Sequence, residues 1–451
     1  MTIDRAWLSD EVVITLTEQN ETRRCKEYSV KVSVFQQPSA FQLTTGDSAS
    51  TAASIVEKHG PGDPFALRLQ RVNTGSDFDV AIQTGRLDAA DIPESDETVV
   101  ELRGRDNMAA LWDDFFLQED SFTEATFYDL TAKQLKAVGF DPDLWLLTGE
   151  TARKKAITNA NAGMVRSGSE PVRMGTTTVQ EVDYMWAWKP SAGGGASMRA
   201  VPELSAPRAD NPSTDAKEVE VSDVTGGQPR TEIKTLKALV GRRRYEWLKE
   251  QYKRVGLFLW TMPSGHFALS TPNTSTEPAF RLTRIVDGSP AENNILSGGL
   301  RNDTTSRFAH TLVFGRAGGG KEGRRRIVGR YTDTEMIDKY RLIKRIAYDE
   351  SDVKTQKAAD YLARRYAADA RRQSRSLVYT VSGHSAISLD HPGQRRPYYV
   401  NSMVHVIDQK TGIDGDFYLG DIEFKRSMTE GTITRLTLYW PEDLVFAEEA
   451  A

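Results

Sequence analysis

The segment that comes nearest to a catalytic motif is a glycine-rich run at residues 315–322 that contains Lys321. It follows a strand-like segment and satisfies G-x-x-x-x-G-K, the pattern in which backbone amides and a lysine cradle nucleotide phosphates. Such a site also needs a serine or threonine after the lysine, to hold magnesium, and a helix whose first amides face the phosphate. Glu322 stands in place of that hydroxyl and would repel phosphate, and residues 323–329 read as loop or strand. We expect a flexible loop between strands; a nucleotide site is the lesser alternative.

Other residues of the types that do chemistry form no recognised pattern. His384, Asp390 and His391 are the one cluster that could indicate a metal, but their spacing fits no standard ligand set and favours a polar loop. Residues 382–385 lack the G-x-S-x-G frame of an α/β-hydrolase. No pair of acids stands apart from surface carboxylates, as a glycosidase would require. We predict no catalytic, cofactor-binding or metal-binding residues, and a protein that is not an enzyme.

Arginines are grouped at three places in the chain. The groups are Arg242, Arg243 and Arg244; Arg324, Arg325 and Arg326; and Arg364, Arg365, Arg371, Arg372 and Arg375. The favoured interpretation is solvated faces or salt bridges between subunits, and the minor alternative is contact with passing DNA.

The composition describes a folded protein of several domains. With 451 residues and 39% hydrophobic residues, the chain is long enough for three or four domains. Its 58 basic and 63 acidic residues nearly balance, which gives no support for a dedicated nucleic-acid-binding domain. A single cysteine, Cys25, excludes an intrachain disulfide. We see no secretory signal or membrane helix, and we expect folding in the cytoplasm.

Strand and helix periods alternate along the chain. Strict alternation predicts strands at residues 28–34, 65–70, 78–83 and 98–102, at the spacing of a barrel or sandwich. Helical spacing follows at 108–115 and at about 126–138, and again at 245–255, where Gly256 ends the helix. A hairpin is predicted at 257–270, a long helix at 355–373, and strands at 377–382, 403–408, 417–424 and 432–439.

These patterns predict an α+β protein, mainly β, with two tube-like antiparallel β-barrel domains that flank a mixed α/β middle region. The first barrel domain is placed at 1–105, and the middle domain at 106–186 and 231–275. A polar stretch rich in Gly, Pro and Ala at 187–230 is predicted to be an insertion or linker. The second barrel domain is placed at 276–451.

A series of short motifs in a fixed order carries a family resemblance. In the last third it comprises Arg345, Thr355 to Ala359, Ala363 and Ala367, then residues 374–384, 397–408 and 412–438; upstream it comprises 293–300, Asp303, 306–308, 313–315 and 99–106. Taken together, this series resembles the hub protein of Mu-type contractile phage tail baseplates, the P-like tail proteins related to late control protein D and the VgrG hub. The insertion at 187–230 is longer than in that family, and Gly383-His384 stands where Gly-Trp is usual.

The resemblance implies a structural role. It implies a homotrimer whose six tube-like barrels join the six-fold tail tube above to the three-fold central spike below, with wedge proteins around it. It also implies a place in the virion, assembly in the host cytoplasm, no cofactor, and DNA as a transient passenger in the channel. We expect a polar and mainly acidic channel wall, because a basic wall would retain the polyanion. The alternative is a hub that also acts as a cell-wall hydrolase.

Overall fold

The computed structural model of the chain describes residues 10–16, 21–46, 48–71, 78–93, 98–122, 127–148, 189–190, 196–197, 236–287, 293–316, 326–350, 353, 356–389 and 395–444. Strands are far more numerous than helices in these ranges, and the largest sheet contains 13 strands. The fold is α+β and mainly β, which confirms the predicted fold class. No helix within these ranges is long and apolar enough to cross a membrane.

The elements are numbered here in chain order. The strands are β1 (Asp10–Leu16), β2 (Glu21–Arg24), β3 (Glu27–Ser33), β4 (Ala40–Thr45), β5 (Pro64–Arg71), β6 (Phe78–Asp91), β7 (Val100–Asp106), β8 (Asp120–Phe122), β9 (Leu146–Thr148), β10 (Lys189–Pro190), β11 (Ala196–Ser197), β12 (Leu236–Ala238), β13 (Phe258–Thr261), β14 (Phe267–Ser270), β15 (Phe280–Arg284), β16 (Ile295–Asn302), β17 (His310–Arg316), β18 (Arg326–Thr332), β19 (Arg345–Asp349), β20 (Arg375–Ser382), β21 (Ser385–Ile387), β22 (Arg395–Pro397), β23 (Ser402–Asp408), β24 (Ile413–Ser427) and β25 (Gly431–Tyr439). The helices are α1 (Ala49–Lys58), α2 (Ala109–Asp113), α3 (Phe127–Ala137), α4 (Pro142–Trp145), α5 (Arg244–Val255), α6 (Thr334–Asp338) and α7 (Gln356–Ser374), and a 3-10 turn follows at Pro441–Asp443.

The first seven strands form a barrel. Alternation along β5 buries Phe65, Leu67 and Leu69 completely, as a strand with one face on a core requires. The strands pair antiparallel in the order β3-β4-β7-β6-β5-β1-β2. Only Cys25 and Lys26 separate β2 from β3, so this bent stretch pairs with β4 at one end and with β1 at the other. The amide of Cys25 donates to the carbonyl of Val12 at 3.1 Å, which closes the ring.

Six strands from the last third of the chain form a second barrel-like unit. Their order is β15-β23-β24-β25-β20-β16, and β15 runs parallel to β23. Asn294 links the two end strands. Its amide donates to the carbonyl of Thr283 at 3.1 Å, and its side chain accepts from the Thr283 amide at 2.8 Å. Two barrel-like units are therefore present, but the second is not wholly antiparallel as predicted, because β15 runs parallel to β23.

The long strand β24 joins these two units into a single sheet. Its first half pairs with β23, and its second half pairs with β25 on one side and with β3 on the other. The pairing register shifts at Gly420, where an added Cβ atom would lie 2.5 Å from Phe35 and 2.7 Å from Tyr439. Glycine is therefore needed at this bulge. One hydrophobic core runs through both units.

The middle of the chain forms a separate core. Leu111, Leu130, Trp247, Leu248 and Phe267 are all buried in it. Helix α5 ends at Gly256, which adopts the left-handed conformation, and β13 pairs antiparallel with β14, as predicted. The domain boundaries given above stay predictions. The stretch at 187–230 lies outside the described residues apart from the short pair β10 and β11.

One predicted helix is much shorter than expected. The spacing at 108–115 predicts a helix with Phe115 on its apolar face, but α2 ends at Asp113 and Phe115 is 38% exposed. The backbone beyond α2 bonds instead to the start of α5. The amide of Phe116 donates to the carbonyl of Arg242 at 2.9 Å, and the amide of Arg244 donates to the carbonyl of Asp114 at 3.0 Å. Tertiary hydrogen bonds therefore override the helical period here.

Helix α7 packs against a small three-stranded sheet in the order β18-β17-β19. Ala358, Leu362 and Tyr366 are buried on one face of α7, as their spacing predicts. The helix approaches β18 so closely at Gly329 that an added Cβ atom would lie 2.0 Å from the carbonyl oxygen of Ala359. Only glycine allows this contact between backbones.

Gly329→Ala is expected to lower the free energy of unfolding by about 2–3 kcal/mol, because the added methyl group forces α7 away from β18. Equilibrium urea unfolding at fixed protein concentration measures this loss. Gly60→Ala is the matched control, because no atom lies within 4 Å of its added Cβ. A loss for Gly329→Ala that is no larger than that of the control would contradict the close packing.

Candidate assembly surface

The joined sheet presents one open face, built from eight strands in the order β16-β20-β25-β24-β3-β4-β7-β6. The pairing register places the outward side chains opposite one another across the sheet. Thr380 lies opposite Arg435, Arg435 opposite Glu423, and Glu423 opposite Lys31. Their strand neighbours on either side point into the barrels and are buried. We call this surface of outward side chains the open face.

Charges of both signs lie on the open face, and many of them are paired. Arg103 lies 2.6 Å from Asp91, and Arg105 lies 2.7 Å from both Asp88 and Asp113. These groups are partly exposed, so each pair contributes little to stability but neutralises charge locally. A further pair joins Lys425 to Glu430, and the hydroxyl of Ser29 donates to Glu423 at 2.9 Å. The open face is polar, with cations and carboxylates interspersed.

One part of the open face is concave. A cavity of about 550 Å³ lies over β16, β20, β25 and β24. Leu300, Thr380, Glu423, Lys425 and Arg435 are among the residues that line it. Like the rest of the open face, the lining of this cavity carries both positively and negatively charged side chains. The lining includes no arrangement of nucleophile, base and orienting group of the kind that catalysis requires.

Within the described part of the chain, neither edge of the open face forms a ladder of hydrogen bonds with a further strand, although β15 approaches β16 and β11 approaches β6. At one edge β16 pairs only with β20, and Leu296 and Leu300 there are 59% and 51% exposed. At the other edge residues 87–91 of β6 pair only with β7, because β5 covers only the first half of β6. Ile92, directly after this edge, is also exposed. Unpaired edges with apolar side chains are typical of surfaces that receive another strand.

A buried polar network lies where the two barrel units meet, and sequence reasoning missed it. Asp10 of β1 is fully buried and accepts from Arg71 at 2.8 Å, from the amide of His384 at 3.0 Å, and from the hydroxyl of Ser385 at 2.7 Å. The only available signal was an aspartate and an arginine within two apolar strands, β1 and β5, where the register makes them partners.

His384 is a structural residue of this network. Its Nε2 lies 2.8 Å from the hydroxyl oxygen of Tyr28, and its Nδ1 lies 2.7 Å from that of Thr434. Since the Thr434 hydroxyl donates to the carbonyl of Gly383 at 2.6 Å, it accepts from Nδ1–H, and Nε2 accepts from Tyr28. Burial lowers the pKa of His384 to about 4, so the ring is neutral. Asp390 and His391 lie outside the described residues. Within the described ranges, no three His, Cys, Asp or Glu residues are placed to hold a metal.

The strands on either side of the glycine-rich run, β17 and β18, pair with each other as the two arms of a hairpin. Strand β17 ends at Arg316 and β18 begins at Arg326, and these two residues pair with each other. The residues between them lie outside the described part of the chain. A phosphate-binding loop requires a helix after its lysine. Here β18 follows within a few residues of Lys321, which favours the predicted loop between strands.

In the first and third arginine groups, the described side chains are held mainly by groups of the same chain, whereas Arg324 and Arg325 lie outside the described residues. Arg244 of α5 donates to Gln134 at 2.6 Å. On α7, Arg371 and Arg375 lie 3.1 and 2.7 Å from Asp443. Arg365 and Arg372 are buried, which corrects the expectation of solvated faces for these two. Helical spacing places them among the side chains of α5 and the β13 strand rather than in water.

No family model and no curated protein matches this chain. Among solved structures, the tail protein from Neisseria meningitidis MC58 matches 97% of this chain with 98% of its own, at 18% identity and a TM-score of 0.61. The 43 kDa tail protein of prophage MuSo2 from Shewanella oneidensis matches 97% of this chain with 100% of its own, at 15% identity and a TM-score of 0.60. The chain shares the fold of these two tail proteins over nearly its whole length.

Proposed function

We propose that the protein is the structural baseplate hub of a contractile phage tail or related injection machine. The single observation that carries the proposal is β24, which joins two barrel units of one chain side by side into one sheet. A ring of such chains contains twice as many barrels as subunits. This doubling is the property that a three-fold to six-fold adaptor needs, and the shared fold with tail proteins supports the assignment.

The edges of the open face support closure into a ring. Every pairing between its eight strands is antiparallel, so the two edge strands, β16 and β6, run in opposite directions. If β16 of one copy meets residues 87–91 of the next, the new pairing is antiparallel as well. The same contact then repeats head to tail until the ring closes. The family resemblance gives three as the number of copies.

In this assignment the protein is part of the virion baseplate. The homotrimer contacts the tail tube above, the central spike below and the wedge proteins around it. It is assembled in the host cytoplasm and acts in tail assembly and genome ejection, without catalysis or a cofactor.

The open face is the proposed wall of the channel, through which DNA passes transiently. Its charges are mixed, whereas the sequence led us to expect a mainly acidic wall; the identity of the wall stays a prediction. Arg103 and Arg105 are neutralised by aspartates, so this part of the face presents no strong positive field to a polyanion.

Native mass tests the proposal first. Light scattering of the purified chain at several concentrations is expected to show a trimer of about 151 kDa, three times the 50.3 kDa of the chain. The same measurement is repeated after addition of the tail-tube and spike proteins encoded with it. A chain that stays monomeric under every one of these conditions would contradict the trimeric hub.

A further inference from the structure

Cations outnumber carboxylates around a small cleft between α5, α7 and the β13 strand. The cleft has a volume of about 100 Å³. Lys249, Lys253, Arg365 and Arg372 line it, and among the described residues Asp369 is the one carboxylate in the lining. Asp369 forms ion pairs with two of these cations, since it lies 2.9 Å from Lys253 and 2.8 Å from Arg372.

Arg372 is held in the cleft but is incompletely bonded. Its guanidinium lies over the ring of Phe35, with 4.3 Å from Cζ to the ring centroid, and one of its terminal nitrogens donates to Asp369. Its Nε is buried and has no hydrogen-bond acceptor among the described residues. A buried donor without an acceptor is unfavourable, and a bound anion would satisfy it.

Carboxylates outside the lining do not balance the charge. Asp421 faces Arg372 from β24, but burial raises the pKa of its carboxyl, and its oxygens accept from Ser33 and Tyr439. Glu246 acts on Lys249 from the exposed side of α5. The pKa of Lys249 is lowered, first by partial burial and then by the charge of Arg372. Among the described residues, the cleft therefore keeps an excess of positive charge.

We propose that this cleft binds a carboxylate. Its volume suits such a group, since one water molecule takes up about 30 Å³ in the liquid. The carboxylate has two available sources, another protein or the chain itself. Arg365, which lines the cleft, donates to the carbonyl of Leu444 at 2.9 Å, and Glu448 and Glu449 follow within five residues in the sequence. Five residues of extended chain span about 17 Å, which is enough to return to the cleft.

Thermal unfolding in sodium acetate, compared with sodium chloride at equal ionic strength, tests this site. Acetate is expected to raise the Tm of the natural chain by about 1–2 °C if the cleft is open to carboxylates from outside. If Glu448 or Glu449 occupies the cleft, acetate raises the Tm only in Glu448→Gln/Glu449→Gln, whose Tm in chloride is lower than that of the natural chain.

Lys249→Gln is expected to abolish the acetate response in whichever chain shows it, with an unchanged far-UV circular dichroism spectrum. Lys136→Gln is the matched control, because Lys136 is an exposed lysine near the end of α3, away from the cleft. It should leave the response intact. Equal Tm values in acetate and chloride for both the natural chain and the double glutamine variant would overturn the proposal, as would a response that survives Lys249→Gln.

Discussion

Asp10→Ala is expected to lower the free energy of unfolding by about 3–5 kcal/mol, because it leaves a buried arginine without its counterion. The side chains of Asp10 and Arg71 are 0% and 4% exposed, and the carboxylate also accepts from the backbone of His384 and the hydroxyl of Ser385. These partners belong to both barrel units, so the substitution weakens the contact between the two units. Equilibrium urea unfolding at fixed protein concentration measures it.

The Arg68–Asp79 pair provides a matched control on neighbouring strands of the same barrel. Its two side chains are 24% and 32% exposed at a separation of 2.6 Å, so Asp79→Ala is expected to cost less than about 1 kcal/mol. Arg71→Met in the Asp10→Ala background should recover part of the stability, because it removes the unpaired charge. Equal losses for Asp10→Ala and Asp79→Ala would show that the network does not hold the units together.

Leu296→Asp/Leu300→Asp is expected to convert the proposed trimer into a monomer. Both leucines are more than half exposed in the isolated chain and lie on the edge strand β16, which pairs only with β20. Their substitution therefore changes the stability of the monomer little. In the proposed ring, however, the next copy covers them, and an unpaired carboxylate there is strongly unfavourable. Light scattering gives the mass, and the urea midpoint of the monomer gives the stability.

Met428→Asp is the control for this variant, since Met428 is 94% exposed at the tip of the β24–β25 hairpin and belongs to neither edge strand. It should leave the trimer intact. A double variant that is still trimeric would place the interface elsewhere.

Engineered cysteines test the same contact by the formation of a disulfide bond between subunits. Leu300→Cys with Ala90→Cys should give covalent oligomers under oxidising conditions, because the two positions lie on opposite edge strands of one chain and in the proposed ring meet only between copies. The natural thiol does not compete, because Cys25 is buried and its pKa is raised by that burial. Subunits that stay unlinked within the trimer would argue against pairing of β16 with β6.

The sequence by itself determined the local elements and the fold class. Alternation in β5 and the one-sided spacing of Ala358, Leu362 and Tyr366 in α7 follow from the periods of strands and helices, which act within a few residues. Gly256 ends α5 for a similarly local reason, since glycine adopts the left-handed conformation without a Cβ penalty.

Only the tertiary structure decided which elements are neighbours. Alternation in β24 identifies its buried face but not its partner, and the pairing with β3 joins residues nearly 400 positions apart. The contact between Asp10 and His384, which are separated by 374 positions, could not be predicted from the sequence for the same reason. A group of arginines on α7 predicts a solvated face, yet α5 and the β13 strand cover Arg365 and Arg372. Burial of a side chain depends on what packs against it, and that packing is a property of the whole chain.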